Sequence, residues 1–199
     1  MSSHREFGFH LVDLLLVLAI IGLVAALGVP PLLTWSSALR VRLAAAEMSS
    51  VLVNTRYYAI RHDVNVAVKF RTDALGRVTY ALYRDGNGNG VLNRDITSGA
   101  DPEVEGERPL ATFGRLAHFG FPPGEPPTQP GSPGSRLDRL DDPIRFNQSD
   151  LASFSPMGTA TPGTIYLTDG VHHLACVRVL HRTGKVSVLV YHRESETWR

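Results

Sequence analysis

Leu14–Leu33 reads LLLVLAIIGLVAALGVPPLL, a stretch without a single charge. At about 1.5 Å of rise per residue such a helix is ~30 Å long, the thickness of a bilayer's hydrocarbon core. A water-soluble fold would have to bury a helix apolar on every side inside a chain of 199 residues, which offers too little interior for it. The stretch therefore predicts a membrane segment. Upstream, MSSHREFG carries only Arg5, Glu6 and His4, a weaker start than an ordinary secretory signal, although Val24-Ala25-Ala26 offers small residues for cleavage. Asp13 stands at the edge of the apolar run, where a lone carboxylate costs on the order of a few kcal/mol and marks a functional position. Downstream, Pro30 and Pro31 each remove a backbone donor and crowd the preceding turn, so a bend or short melted stretch is expected there.

Beyond the prolines the pattern is amphipathic and helical. Arg40, Glu47, Asn54 and Arg61 recur every seven residues, and two apolar sets fill the other faces: Leu39, Leu43, Ala46, Val53, Tyr57 and Ile60, and Val41, Ala45, Met48, Leu52 and Ala59. A broad apolar side of this kind predicts packing against following strands. After His62 the period changes to alternation. Strands are expected at about 65–70, 77–84, 109–121, 143–154, 164–168, 173–180 and 185–191, rich in β-branched and aromatic residues and separated by Gly, Pro, Asn or Asp. Six of the 13 prolines fall between Phe121 and Gly134, so 122–134 is expected to be a mobile surface loop. Fold class is α+β: a long N-terminal helix packed on an antiparallel sheet or sandwich.

The residues around the apolar run carry a resemblance. Gly8-Phe9-His10-Leu11-Val12-Asp13-Leu14-Leu15 followed by VLAIIGLVAALGVP resembles the class III signal of type IV pilins and type II secretion pseudopilins. In that family a short polar leader ends in glycine, phenylalanine follows, and an acidic residue stands fifth in the mature chain. The resemblance implies cleavage between Gly8 and Phe9 by a prepilin peptidase, N-methylation of Phe9, and an assembly role for Asp13, whose carboxylate would pair with a neighbouring subunit's N-terminus. Asp13 occupies the place of the usual glutamate and reaches one methylene less far.

Phe154-Ser155-Pro156-Met157-Gly158, Gly163-Thr164-Ile165-Tyr166-Leu167 and the turn Thr183-Gly184-Lys185-Val186 resemble the GspH/FimT branch of minor pseudopilins and minor pilins. A pilin-like organisation follows as expectation: leader 1–8, transmembrane half-helix 9–33, amphipathic half-helix 34–62 and a periplasmic β-rich domain 63–199. The implied role is a minor pseudopilin of the type II secretion pseudopilus, a single-pass inner-membrane protein partnered by other pseudopilins or pilins and an inner-membrane assembly platform. The alternative is a FimT-like minor pilin acting in pilus assembly or DNA uptake.

Chemistry-bearing patterns are few. Asp85, Asn87, Asn89 and Asn93 stand at positions one, three, five and nine of an EF-hand-type loop with Gly90 at six, which raises a weak calcium site, while Ile96 replaces the glutamate needed at twelve. A Gly/Asn-rich turn explains the same residues without metal. The eight histidines lack ligand spacing, and the single cysteine, Cys176, lies in an apolar strand and excludes an internal disulfide. With no nucleophile elbow, phosphate loop or dinucleotide fingerprint, the chain is not expected to be an enzyme. The formal charge of +1 gives no global case for nucleic acid, and the DNA alternative rests on Arg178, Arg182, Lys185 and Arg193.

Overall fold

The computed structural model describes residues 11–110 and 117–199, the side chains of 28–35 and 133 aside. Two compact units result, one ending at Ser37 and the other spanning Ala38–Arg199. Helix α1 (Leu11–His62) contributes to both.

In the first unit every side chain from Leu11 to Leu27 is exposed, and Asp13 in the first helical turn is the lone polar one. Among the described residues no helix is long and apolar enough to cross a membrane; the described side chains of the apolar run stop at Leu27, while the run continues in sequence to Leu33. No melted stretch interrupts the helix at Pro30 and Pro31: the backbone is helical through both. A proline deletes one donor and strains one turn, and the bonds of the flanking turns suffice to carry the helix past the pair.

The second unit contains the strands β1 (Val66–Thr72), β2 (Val78–Arg84), β3 (Glu103–Pro109), β4 (His118–Phe119), β5 (Thr128–Gln129), β6 (Ser132–Arg136), β7 (Ile144–Arg145), β8 (Leu151–Phe154), β9 (Gly163–Thr168), β10 (Leu174–Val179), β11 (Val186–His192) and β12 (Thr197–Trp198), with a short helix α2 (Asn93–Ser98). They form a four-stranded sheet ordered β3-β2-β1-β8 and a larger one ordered β12-β11-β10-β9-β4, with β7 also on β9. All pairs are antiparallel. The strand expected over 143–154 is two strands in different sheets, split by a turn in which Asn147 and Asp150 adopt positive φ. β3, the β5-β6 hairpin and β12 were not expected.

One apolar core joins α1 to both sheets. Val41, Ala44, Ala45, Met48, Leu52 and Ala59 pack with Val66, Val68 and Phe70 of β1, Tyr80 and Leu82 of β2, and Ile165, Leu167, Ala175 and Val177 of the second sheet. Three alanines on this stripe let the helix approach closely. Thr55 shares the buried stripe because its Oγ1 donates to the Val51 carbonyl one turn back, at 2.8 Å.

Both sheets are also covered on their far faces. Ala67, Ala81, Tyr83 and Leu151 lie under Val91 and Ile96 of the 85–101 segment. Tyr166, Leu174 and Cys176 lie under Leu137, Phe121 and Trp198. Strands buried on both faces explain why LACVRV reads as a nearly continuous apolar run. The 122–134 segment is thus pinned rather than a free excursion. Trp198 Nε1 donates to the Thr128 carbonyl at 2.7 Å, Thr128 Oγ1 donates to the Glu196 carbonyl at 2.9 Å, and Arg136 bridges Glu196 at 2.7 Å while donating to the Pro126 carbonyl. Proline kept the segment out of a central strand, and its backbone groups found partners on the last strand instead.

Candidate functional site

The two apolar sets of the amphipathic helix have different fates. Val41, Ala45, Met48, Leu52 and Ala59 are all but fully buried. Leu39, Leu43, Ala46, Tyr57 and Ile60 are exposed, with Val53 half-buried among them. A helix packed on sheets hides one stripe, and here a second apolar stripe runs down the outward side. Tyr57 is 61% exposed, and Met157, at the tip of the turn beside Ile60, is 92% exposed. An exposed apolar stripe of this length is the kind of patch that marks a contact surface.

Arg56 organises the end of this stripe. Its Nε donates to the Gly158 carbonyl at 3.0 Å, and Gly184 lies against the same carbonyl and against the guanidinium. The turn at 155–159 closes by Gly158 N–H to Ser155 O at 2.9 Å, and the turn at 180–185 by Gly184 N–H to Leu180 O at 2.9 Å. The Ala160 amide donates to the His181 carbonyl at 3.0 Å, which ties the two turns together. Phe154–Gly158 and Thr183–Val186, twenty-odd residues apart in the chain, therefore meet on one helical side chain. Both turns are visible in the sequence and Arg56 is not, since nothing in its neighbourhood distinguishes it from a solvated arginine.

The 85–101 segment is a self-closed cover. Asp85 accepts from Asn65 Nδ2 at 3.0 Å and from the amides of Gly88, Gly90 and Asn87 at 2.7, 2.7 and 3.1 Å. Burial pushes its carboxyl up, but these four donors outweigh burial and hold it below the usual range. Asp95 accepts from Asn89 Nδ2 at 3.0 Å and Asn87 Nδ2 at 3.3 Å, and the Asn89 bond leads in lowering its pKa. Asp101, buried, accepts from the amides of Gly86 and Leu92.

The four residues of the calcium-like pattern, Asp85, Asn87, Asn89 and Asn93, are all engaged within the protein. Asn87 and Asn89 are turned to Asp95, Asn93 Nδ2 donates away to the Ser149 carbonyl at 3.1 Å, and Ile96, at the place of the missing glutamate, packs into the apolar cluster beneath. Among the described residues no group of three His, Cys, Asp or Glu could hold a metal. Asp95 stands one place before the position the glutamate would take, whereas Asp101 lies outside the sequence pattern altogether. Aspartates spaced around Gly/Asn turns were the available signal.

Of the four cationic residues of the DNA alternative, Arg193 stands apart from the turn that carries Arg182 and Lys185. The turn at Gly131 lies directly over the Arg178 guanidinium. Arg193 Nη2 donates to the Pro123 carbonyl at 2.9 Å. Arg182 and Lys185 are exposed in the turn before β11, whereas Arg193 follows its far end, roughly 20 Å away for a strand of seven residues. Elsewhere, Asp169 caps the turn into β10 by accepting from the amides of Val171, His172 and His173 and pairing with His173 Nδ1 at 2.7 Å. Burial pushes the Asp169 carboxyl up, and the His173 bond with the three amides drives it well below the carboxylate range. A cleft of about 460 Å³ between α1 and β2–β3 is rimmed by Glu47, Asn54, Glu105 and Arg108, with Arg108 bridging Glu105 at 2.7 Å and lying over the Tyr80 ring. Gly8 and Phe9 lie outside the described residues.

No protein-family model matches the chain, and no curated protein matches it. Among solved structures, it is similar to two of the minor pseudopilin EpsH from the type 2 secretion system of Vibrio cholerae. One shares 13% identity at a TM-score of 0.44, covering 76% of this chain and 97% of that one. The other shares 10% identity at a TM-score of 0.34, covering 81% and 93%. The α+β architecture, a long N-terminal helix with antiparallel sheets, is the one the sequence resemblance implied.

Proposed function

We propose that this chain is a minor pseudopilin, a filament subunit of a type II secretion pseudopilus, anchored in the inner membrane with its β-rich unit in the periplasm. The observation that carries the reading is the outward apolar stripe Leu39, Leu43, Ala46, Val53, Tyr57 and Ile60, which leaves the globular unit with a face suited to another subunit's helix. The all-round apolar helix from Leu11 to Leu27, continued in sequence to Leu33, supports membrane residence before assembly. Gly8-Phe9 and Asp13 support maturation by a prepilin peptidase, methylation of Phe9 and pairing of the Asp13 carboxylate with a neighbour's new amino group. The assembly platform of the inner membrane would extract such a subunit into the filament. The role is structural, with no turnover of substrate.

The test has two parts. Full-length chain co-expressed with a prepilin peptidase yields an N-terminal peptide beginning at N-methylated Phe9; a chain that still begins at Met1 refutes the reading. Tyr57→Glu combined with Leu43→Glu leaves membrane insertion and thermal unfolding unchanged but lowers recovery in sheared pseudopili, as does Asp13→Ala. Recovery equal to wild type for both variants removes the assembly surface.

A further inference from the structure

Asn87-Gly88 and Asn89-Gly90 are the two asparaginyl-glycyl peptides in the sequence, and both lie in the self-closed cover described above. Such pairs are chemically labile. Glycine has no Cβ to obstruct its own nitrogen, which can close on the preceding asparagine's Cγ. The new N–Cγ bond forms, the Cγ–Nδ2 bond breaks, and ammonia leaves with the proton from the glycine nitrogen. Water then opens the cyclic imide at either carbonyl, giving aspartate or isoaspartate.

The attacking nitrogens and the leaving amides of that reaction are all engaged here. The attacking nitrogens of Gly88 and Gly90 each donate to an oxygen of Asp85 at 2.7 Å. Removing either proton would set a nitrogen anion against a carboxylate at that distance, in a partly desolvated place, where like charges repel strongly. The leaving amides of Asn87 and Asn89 both donate to Asp95 Oδ2, and Asn87 Oδ1 accepts from the Asn89 amide at 3.2 Å. Both side chains would have to leave these partners to present Cγ to the glycine nitrogen. Nor can the frame relax cheaply. Asp101 holds the Gly86 and Leu92 amides, and the Ala100 carbonyl lies so close to Gly86 that the position has no room for a Cβ.

We infer that Asn87 and Asn89 are covalent modification sites held in check by the fold, with Asp85 occupying the nucleophiles and Asp95 the leaving groups, so that deamidation is coupled to opening of the 85–101 cover. The coupling runs in both directions. Conversion of either asparagine places a second carboxylate where Asp95 now receives an N–H, and the repulsion loosens the segment whose Val91 and Ile96 seal the first sheet. The modification is thus a lasting record that the cover has opened. This inference is independent of the filament reading.

The experiment is incubation of the full-length chain in detergent at neutral pH and 37 °C, with digestion and mass spectrometry of the peptide containing residues 85–94. The native chain converts at least about tenfold more slowly than the same chain unfolded in urea, tenfold corresponding to ~1.4 kcal/mol of barrier. Asp95→Asn, which keeps the shape and removes the charge, accelerates conversion several-fold while the thermal transition stays cooperative. Native and urea-unfolded chains converting within threefold of each other overturn the inference, and that comparison needs no variant to fold. Unchanged conversion in a folded Asp95→Asn protein overturns the role of Asp95.

Discussion

Gly184→Ala tests the meeting of the two turns on Arg56. Gly184 has φ +57, a region where a side chain costs about 1–2 kcal/mol. A Cβ there would overlap the Gly158 carbonyl oxygen and stand 2.8 Å from Arg56 Nε. The arginine can swing aside, but the carbonyl belongs to a turn closed by its own hydrogen bond, so relief requires a backbone shift of the overpacking kind, about 1–3 kcal/mol. Together these amount to roughly 2–5 kcal/mol, and for a chain of this size each kcal/mol lowers Tm by about 2–4 °C. The expected fall is on the order of 10 °C, read by circular dichroism of the full chain in detergent. Gly76→Ala supplies the reference. Gly76 has φ +74 but nothing within 4 Å of its Cβ position, so it bears the conformational cost alone. If Gly184→Ala melts no lower than Gly76→Ala, the close approach of the turns is wrong. In the Arg56→Ala background the Gly184→Ala penalty persists, because the backbone contact remains.

Two further outcomes follow from burial and charge. Cys176 is buried and burial pushes its thiol up to about 12, so iodoacetamide leaves it unmodified at pH 8 in the folded chain and alkylates it fully in urea; native-state alkylation would refute the cover of 122–137 and Trp198 over this strand. Asp169 has a folded-state pKa below its unfolded value of about 3.9, so its stabilisation is present above that value and is lost as pH falls through the folded one. Asp169→Asn therefore lowers Tm at pH 7, and the gap to wild type narrows from about pH 4 downward; a gap independent of pH refutes the assignment.

The helix was legible from periodicity alone, because a 3.6-residue repeat of apolar positions has no other stable use. Which of its two apolar sets would be buried was not legible. Leu43 and Ala45 are equally suited to a core, and only the position of the sheets decides that Ala44, Ala45 and Ala59, small enough for close approach, face inward. The pairs Phe154–Gly158 and Thr183–Val186 are visible as turns, yet their meeting on Arg56 joins segments that follow strands of different sheets, β8 and β10, and leaves no mark in the sequence. For the 85–96 loop the sequence shows a series of side-chain oxygens. That the loop is also a cover, with Ile96 partly buried against the cluster of Ala67 and Tyr83 and the asparagine amides donating to Asp95, depends on the fold.

By itself, the order of residues determined the α+β class, the uncharged run to Leu33, the amphipathic helix and most strands, since local periodicity and turn chemistry act within a few residues of chain. The tertiary structure alone decided the outward stripe, the pinning of 122–134 by Trp198, the separation of Arg193 from Arg182 and Lys185, and the closure of the asparagine loop. Each of these depends on contacts between segments far apart in sequence, whose free energy is set by shape and burial and leaves no periodic trace in the chain.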